Sequence, residues 1–171
     1  MKLLKMLGAL LLLLASCATL YRDNKLAGFQ TINWSEMNKV DVERALGKPN
    51  YVGVVTRSDE KALVYLAQGS MAPQLIVSFD EKTLKVLSAR WFANSAREKL
   101  TLRQAKAKFS NAQFVDSPSV EDNGWGSQSE VYRSADKTLE IEIDTKTKKL
   151  SSLSWQYEQR DSPIKRSPTN H

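Results

Sequence analysis

Only a few residues of this sequence have the types and spacing that catalysis or cation binding requires. Glu140, Glu142 and Asp144 stand at positions i, i+2 and i+4, which places three carboxylates on one face of a β-strand. Carboxylates held this close can transfer protons or bind a cation. The residues between them are apolar, so the favoured interpretation is the polar, solvent-facing side of a half-buried strand.

Other residue types argue against an active site. The single histidine, His171, is the final residue of the sequence, so no histidine is available inside a folded segment for a catalytic triad or a zinc site. Glu121 and Asp122 lack the spacing of a calcium loop. The seven glycines are dispersed and form no phosphate-binding loop. We therefore expect a non-enzymatic protein that uses no metal and no cofactor.

The charge pattern gives no sign of nucleic-acid binding. The 171 residues carry a formal net charge of +6 and are 42% hydrophobic, which is ordinary for a globular protein. The lysines at 146, 148 and 149 alternate with threonine or follow acidic residues, which is typical of a solvated turn. A nucleic-acid partner would need a basic stripe on a recognisable binding module, and the sequence has neither.

The segment 1–16 has the pattern of a bacterial signal peptide. It begins with two lysines, continues with the apolar run 6–14 and ends in small residues. The run is shorter than the about 20 residues of a membrane span, but it suits a secretory signal. The residues Leu14-Ala-Ser-Cys17 resemble the lipobox of bacterial lipoproteins. In that family the signal peptide is cleaved before the cysteine, whose sulfur carries a diacylglycerol.

Cys17 is therefore the predicted lipidation site; the alternative is a chance thiol in an ordinary signal peptide. It is the only cysteine, and a free thiol is unusual in an oxidising compartment. Two or three acyl chains hold a protein stably on a membrane, whereas one does so only transiently. Residue 18 is Ala rather than Asp, from which the resemblance implies the outer membrane, facing the periplasm. Residues 17–33 are predicted to be a lipidated tether.

A segment of thirteen residues occurs twice. Residues 79–91 are echoed by residues 143–155, 64 positions later. We infer that one unit is used twice, at 34–97 and 98–159, and that the polar residues 160–171 form a disordered tail. The matching pairs are Asp80/Asp144, Lys82/Lys146, Thr83/Thr147, Lys85/Lys149, Ser88/Ser152 and Trp91/Trp155, and the two tryptophans are predicted to fill the core.

Each unit is predicted to contain a short helix followed by four strands. Asn38 has the position of an N-cap and Gly47 that of the residue after the helix, while Thr101 begins a capping box. Alternating apolar residues in the strands are typical of an antiparallel sheet covered on one face. The predicted fold class is α+β, a tandem repeat of short helices and four-stranded antiparallel meander sheets. The predicted strands are 51–56, 61–67, 74–79 and 86–92, then 113–115, 130–133, 138–144 and 150–157.

Two family resemblances follow from these elements. Met37 precedes a helix that ends in the pattern Val42-x-x-Ala-Leu-Gly-x-Pro49, and a later alternating strand ends in Phe79. This pattern, over residues 34–92, resembles the SmpA/OmlA (BamE-like) family of outer-membrane lipoproteins, which includes a subunit of the β-barrel assembly machinery. The tandem arrangement resembles the β-lactamase inhibitory protein (BLIP-like) fold, which binds another protein across its concave sheet.

The expected function is that of a membrane-anchored periplasmic lipoprotein that serves as a non-enzymatic protein-binding scaffold. The first resemblance implies a role in outer-membrane assembly or envelope integrity, with an envelope protein as partner. The second implies the alternative of an inhibitor of a periplasmic or cell-wall enzyme, and a binder of lipids or small ligands is a third class. Trp125 and Trp34 are candidate partner-binding residues, because exposed tryptophans dominate many interfaces. Their structural alternatives are a loop tip folded over its own sheet and a staple onto the first helix.

Overall fold

The computed structural model describes residues 24–55, 60–93, 99–122 and 128–157. The predicted signal peptide 1–16, the lipidation site Cys17, the tail 160–171 and the candidate partner-binding residue Trp125 lie outside these ranges. Within them, no helix is both long enough and apolar enough to cross a bilayer.

The described residues form short helices and eight strands. The helices are α1 (Asn24–Thr31), α2 (Lys39–Leu46) and α3 (Leu102–Lys106), with a 3₁₀ turn at Trp34–Glu36. The strands are β1 (Tyr51–Val55), β2 (Glu60–Leu66), β3 (Pro73–Phe79), β4 (Val86–Phe92), β5 (Ser119–Asp122), β6 (Gln128–Arg133), β7 (Leu139–Asp144) and β8 (Leu150–Gln156).

These strands make one antiparallel sheet in the order β1-β2-β3-β4-β8-β7-β6-β5. The predicted α+β fold, a tandem repeat of helices and four-stranded sheets, is wrong. The molecule is mostly β, because β4 and β8 pair along their length and join all strands into a single eight-stranded sheet. The alternation of residues within a strand identifies its buried face. It does not reveal which strands distant in sequence pair with each other and so satisfy the backbone N–H and C=O groups at their edges.

The first strand of the second half also differs from its prediction. We expected a strand at 113–115, where the structure has one isolated bridge between Phe114 and Ser134. The strand β5 instead begins at Ser119, between the predicted strands 113–115 and 130–133. It pairs with β6 from Ser119↔Val131 to Asp122↔Gln128, so pairing with a neighbour outweighs the weak strand pattern of its own sequence.

The helix starts are as predicted. The side chain of Asn38 accepts hydrogen bonds from the backbone N–H groups of Val40 and Asp41, at 2.9 and 3.1 Å. Thr101 and Gln104 form the reciprocal capping box. These caps satisfy amide groups that a helix of only five or eight residues cannot pair internally.

One face of the sheet holds the core together with the helices. Trp91 is fully buried and Trp155 is 7% exposed, so the prediction that both fill the core is confirmed. Burial of such apolar surface is the main driving force for folding. The cluster includes Phe29, Trp34, Val42 and Ala105 from the helical segments and Leu63, Tyr65, Leu75, Val77, Ala89, Ile141, Ile143, Leu153 and other residues from the strands.

Candidate protein-binding surface

The sheet face opposite the helices is called the open face here. Side chains alternate between the faces of a strand, and the buried helix residues all belong to the core cluster on the other side. The open face is built largely from small polar and charged residues near the centre of the sheet and towards β5. They are Ser78, Ser88, Arg90, Ser152, Ser154, Gln156, Glu140, Glu142, Ser129, Arg133, Ser119 and Glu121.

Arg90 organises the centre of the open face. Its Nη2 lies 2.6 Å from Oε2 of Glu142, across the β4–β8–β7 strands. The hydroxyl of Ser152 donates to the same carboxylate oxygen at 2.6 Å and accepts from Nη2 of Arg90 at 3.2 Å. Three side chains from three adjacent strands therefore form one closed set of charge-assisted hydrogen bonds, a strong type of contact.

Arg133 forms a second set nearer to β5. Its guanidinium donates from Nε to Glu140 at 2.7 Å and from Nη2 to Glu121 at 2.6 Å. Nη1 donates to the hydroxyl of Ser119 at 2.8 Å. The hydrogen bonds that Arg133 donates to Glu121 and Glu140 and the charges of these carboxylates raise the pKa of Arg133, so this residue is a permanent cation fixed between two carboxylates.

Glu142 is the most enclosed carboxylate of the open face, with a side chain 15% exposed. Burial acts to raise its pKa, but hydrogen bonds from Ser152 and Ser129 and the charge of Arg90 outweigh it and hold the pKa below the usual value. The carboxylate is therefore ionised and a weak base. It is suited to positioning Arg90 rather than to taking a proton.

The half of the open face between β1 and β3 has a different chemistry. Ser78 and Ser88 share a hydrogen bond of 2.7 Å, at the positions that Glu142 and Ser152 occupy 64 residues later. The residues beyond Ser78 are mainly apolar, such as Val64 and Ile76. No ion pair like that of Arg90 is formed on this half among the described side chains.

The three carboxylates of β7 do not form one acidic site. Glu140 pairs with Arg133 and Glu142 with Arg90, while Asp144 accepts hydrogen bonds from the backbone N–H groups of Lys146 and Thr147. Within the described ranges, no group of three or more His, Cys, Asp or Glu residues is placed to hold a metal ion. The spacing that suggested acid–base chemistry instead serves two ion pairs and a turn.

Trp34, the predicted site residue that falls within the described ranges, does not lie on the open face. It is 3% exposed, and its indole Nε1 donates to the carbonyl of Phe29 at 3.0 Å. Its ring packs against that of Phe29, so it fastens α1 to the core and has no surface for a partner. Trp125 and Cys17 lie outside the described residues.

Sequence reasoning missed Arg90. The repeat contains a signal that would have found it, because the residue aligned with Arg90 is Ser154. In the structure these two are direct cross-strand partners, at the centre of the sheet. In two matching segments, a position where a charged residue replaces a small one is a candidate for a function that one copy has and the other lacks.

Comparison with known proteins identifies two solved structures of limited similarity and no family. No family model matches the chain, and no curated protein matches it. One similar solved structure is a DUF4309 family protein (YjgB) from Bacillus subtilis, at 17% identity over 75% of this chain and 82% of that chain, with a TM-score of 0.45. Another is a cysteine-rich secretory protein (SAV1118) from Staphylococcus aureus, at 14% identity, a TM-score of 0.39 and 73% coverage of this chain. This chain spans 45% of the latter's length. Both TM-scores are below 0.5, so neither likeness supports an inference about function.

Proposed function

We propose that this chain is a lipid-anchored protein of the bacterial envelope that binds another envelope protein across the open face of its sheet. The observation that carries the proposal is the Arg90–Glu142–Ser152 set, held on three adjacent strands at the centre of that face. A rigid sheet presents such groups without the entropic cost of ordering a loop. Charged groups fixed in this way give orientation and specificity to an interface.

Binding fits this set better than catalysis does. The hydroxyl of Ser152 donates to Glu142, as a nucleophile does to its base. However, the lowered pKa of Glu142 makes it a poor base, and Ser152 is only 2% exposed. A substrate would reach the guanidinium of Arg90, whose side chain is 49% exposed, before it reached the hydroxyl.

The location rests on the sequence pattern around Cys17. The lipobox supports attachment to the outer membrane on the periplasmic side, and the resemblance of residues 34–92 to SmpA/OmlA lipoproteins supports a role in outer-membrane assembly or envelope integrity. An acylated Cys17 would hold the sheet within reach of proteins at the inner surface of the outer membrane.

The binding surface is tested by photocrosslinking in intact cells. A photoreactive amino acid replaces Gln156, which is exposed on the open face next to Ser88. The matched control carries it at Lys108, which is exposed just beyond α3 on the helical side. We expect an adduct with a defined envelope protein from position 156 and not from position 108. The same products from both positions, or none, would contradict the proposal, and an adduct with a hydrolase that loses its activity stoichiometrically would indicate an inhibitor.

The anchor has its own test. Cys17→Ala should release the protein from the membrane fraction and abolish labelling by a radioactive or clickable fatty acid. Cys17→Ala with unchanged labelling would remove the lipoprotein part of the proposal and leave the binding part to be judged by the crosslinks.

A further inference from the structure

The strand β1 forms one end of the sheet, and within the described part of the chain its only strand partner is β2. Every second residue of such a strand points its backbone N–H and C=O groups away from the sheet. Its sequence is Tyr-Val-Gly-Val-Val, which contains no charge and no proline. Tyr51, Val52 and Val54 are each about half exposed, at 48%, 53% and 55%. Proteins usually protect an edge strand with charges, proline or a bulge, and β1 has none of these.

The opposite edge is protected. The strand β5 reads Ser-Val-Glu-Asp, and Glu121 is fixed by its ion pair with Arg133. A strand that paired with β5 would bring its side chains next to this carboxylate and to Asp122. Charged side chains on an edge strand discourage pairing with another chain. The two edges therefore differ in the property that controls strand addition.

We propose that β1 pairs antiparallel with β1 of a second copy of this chain, with Gly53 opposite Gly53, to form a sixteen-stranded sheet across a two-fold axis. In this register Tyr51 faces Val55 and Val52 faces Val54. Every non-glycine pair is then aromatic with β-branched or β-branched with β-branched, the combinations that stabilise antiparallel sheets.

The second copy is the occupant that the chemistry of β1 favours. The strand is nearly palindromic about Gly53, so the register that matches its side chains is also the one that satisfies two-fold symmetry. The contact is also self-limiting, because the charged β5 edge discourages the head-to-tail pairing that would build a filament. This inference does not depend on the function proposed above.

The register is tested by disulfide formation in the purified full-length chain. A Cβ added at Gly53 would lie 3.5 Å from Cε2 of Tyr51 and 3.7 Å from Cγ2 of Val64, which are ordinary contact distances, so Gly53→Cys is compatible with the fold. Directly opposite residues have Cα atoms about 4.5–5.5 Å apart, within the range of a disulfide. We expect Gly53→Cys to give a covalent dimer under mild oxidation.

Val52→Cys is the matched control, because in this register position 52 of each copy faces Val54 of the other copy. The two introduced cysteines are then diagonal neighbours, with Cα atoms about 7–8 Å apart, and do not form a disulfide. The chain with its native Cys17 alone shows any background from that residue. Equal covalent dimer from Gly53→Cys and Val52→Cys, or none from Gly53→Cys, would overturn the register.

A charge exchange tests the interface without a covalent bond. The double variant Val52→Lys, Val54→Lys places like charges opposite each other twice, and we expect it to weaken the dimer roughly tenfold. The double variant Val52→Lys, Val54→Glu places opposite charges there and should keep the dimer. Val120→Lys, on β5 and 62% exposed in the native chain, should leave the dimer unchanged.

Sedimentation velocity over a concentration series up to about 1 mM measures these differences, and thermal unfolding confirms that each variant is folded. Strand pairing over five residues buries less than the roughly 1,000 Å² of a stable interface, so the native dimer is expected to dissociate on dilution. A native chain that is monomeric throughout the series, or a dimer that both double variants leave intact, would overturn the proposal. So would a β1 edge occupied by a strand of a different protein.

Discussion

The two halves of the sheet share their turns but not their open faces. Asp80 and Asp144 each accept hydrogen bonds from the backbone N–H groups two and three residues later, at 2.6 to 3.1 Å. The turns end in Leu84 and Lys148, both with positive φ, at 58° and 54°. The Asp and Thr residues that the two turns share thus give the same hairpin twice, even though Leu and Lys rarely adopt this conformation.

The open faces differ at equivalent positions. Ser78 and Ser88 form a neutral hydrogen bond in the first half, whereas Glu142 and Ser152 bind Arg90 in the second. The residue equivalent to Arg90 is Ser154, its direct strand partner. The residues that form the turns and the core are therefore alike in both halves, whereas the charged and polar residues of the open face differ. Function is therefore to be sought where the halves differ.

Replacing the buried tryptophans that the two halves share should destabilise the protein most. Trp91→Ala and Trp155→Ala each remove a buried indole, which typically lowers the free energy of unfolding by about 3–5 kcal/mol. If the positions are equivalent, urea denaturation should give losses that agree within about 1 kcal/mol. A small loss for one tryptophan alone would show that only the other supports the common core.

The sequence contained most of what the halves share. The capping residues Asn38 and Thr101 and the core tryptophans act through local hydrogen bonds or strand alternation, which are visible as patterns along the chain. Predictions based on them agree with the structure because each depends on residues only a few positions apart.

Replacing Arg90, which has no charged equivalent in the other half, should have the next largest effect on stability. Arg90→Ala leaves the enclosed carboxylate of Glu142 without its cation, and leaving a mostly buried charge unpaired costs roughly 1–3 kcal/mol. Ser154→Ala, at the equivalent position, should change the free energy of unfolding by less than about 0.5 kcal/mol.

As a control, chemical denaturation compares both variants with Glu142→Gln and with the double variant Arg90→Ala, Glu142→Gln. Removing the charge of Glu142 as well should recover part of the loss. If the double variant loses as much free energy of unfolding as Arg90→Ala and Glu142→Gln lose together, Arg90 and Glu142 do not act as a pair.

The two halves should also differ in how their open faces contribute to the pH dependence of stability. The pKa of Glu142 is lower in the folded protein than its ordinary value of 4.5, so the unfolded chain binds the proton more readily. The resulting stabilisation is present above the unfolded pKa and is lost as the pH falls below 4.5 and through the lower folded pKa. Ser78, at the equivalent position of the first half, has no such group.

Glu142→Gln should therefore lose less stability on acidification than the native protein, as measured by urea denaturation at a series of pH values from neutral to acidic. Glu81→Gln, which removes a carboxylate from a side chain that is 66% exposed, is the control and should follow the native curve. Acid sensitivity that Glu142→Gln leaves unchanged would assign the effect to other carboxylates, such as Asp80 and Asp144, whose pKa values are also lowered by the backbone N–H groups of Thr83 and Thr147.

The parts that could not be predicted depend on contacts between distant residues. Nothing local announces that β4 pairs with β8 or that Arg90 reaches Glu142, because these contacts join residues more than fifty positions apart. The strand β5 was missed although its contacts are with residues much nearer in sequence. Its own segment has weak strand propensity, and only its pairing with β6 and the ion pair of Glu121 with Arg133 stabilise it.

Replacing the equivalent threonines of the two turns should have the smallest effect on stability. The hydroxyl of Thr83 donates to Oδ1 of Asp80 at 2.9 Å, and the side chain of Thr147 bonds to Asp144 in the same way. Thr83→Val and Thr147→Val keep the shape of each side chain and remove the exposed hydroxyl that binds the aspartate; at Thr83 this hydroxyl also accepts a long hydrogen bond from the N–H of Lys85, at 3.4 Å. Each variant should lower Tm by roughly 1–2 °C. Calorimetry of the two variants should give similar shifts, because both threonines are exposed. A larger shift for Thr147→Val would mean that the hairpin beside Glu142 also supports the ion pair, and the difference between the halves would then extend into the turns themselves.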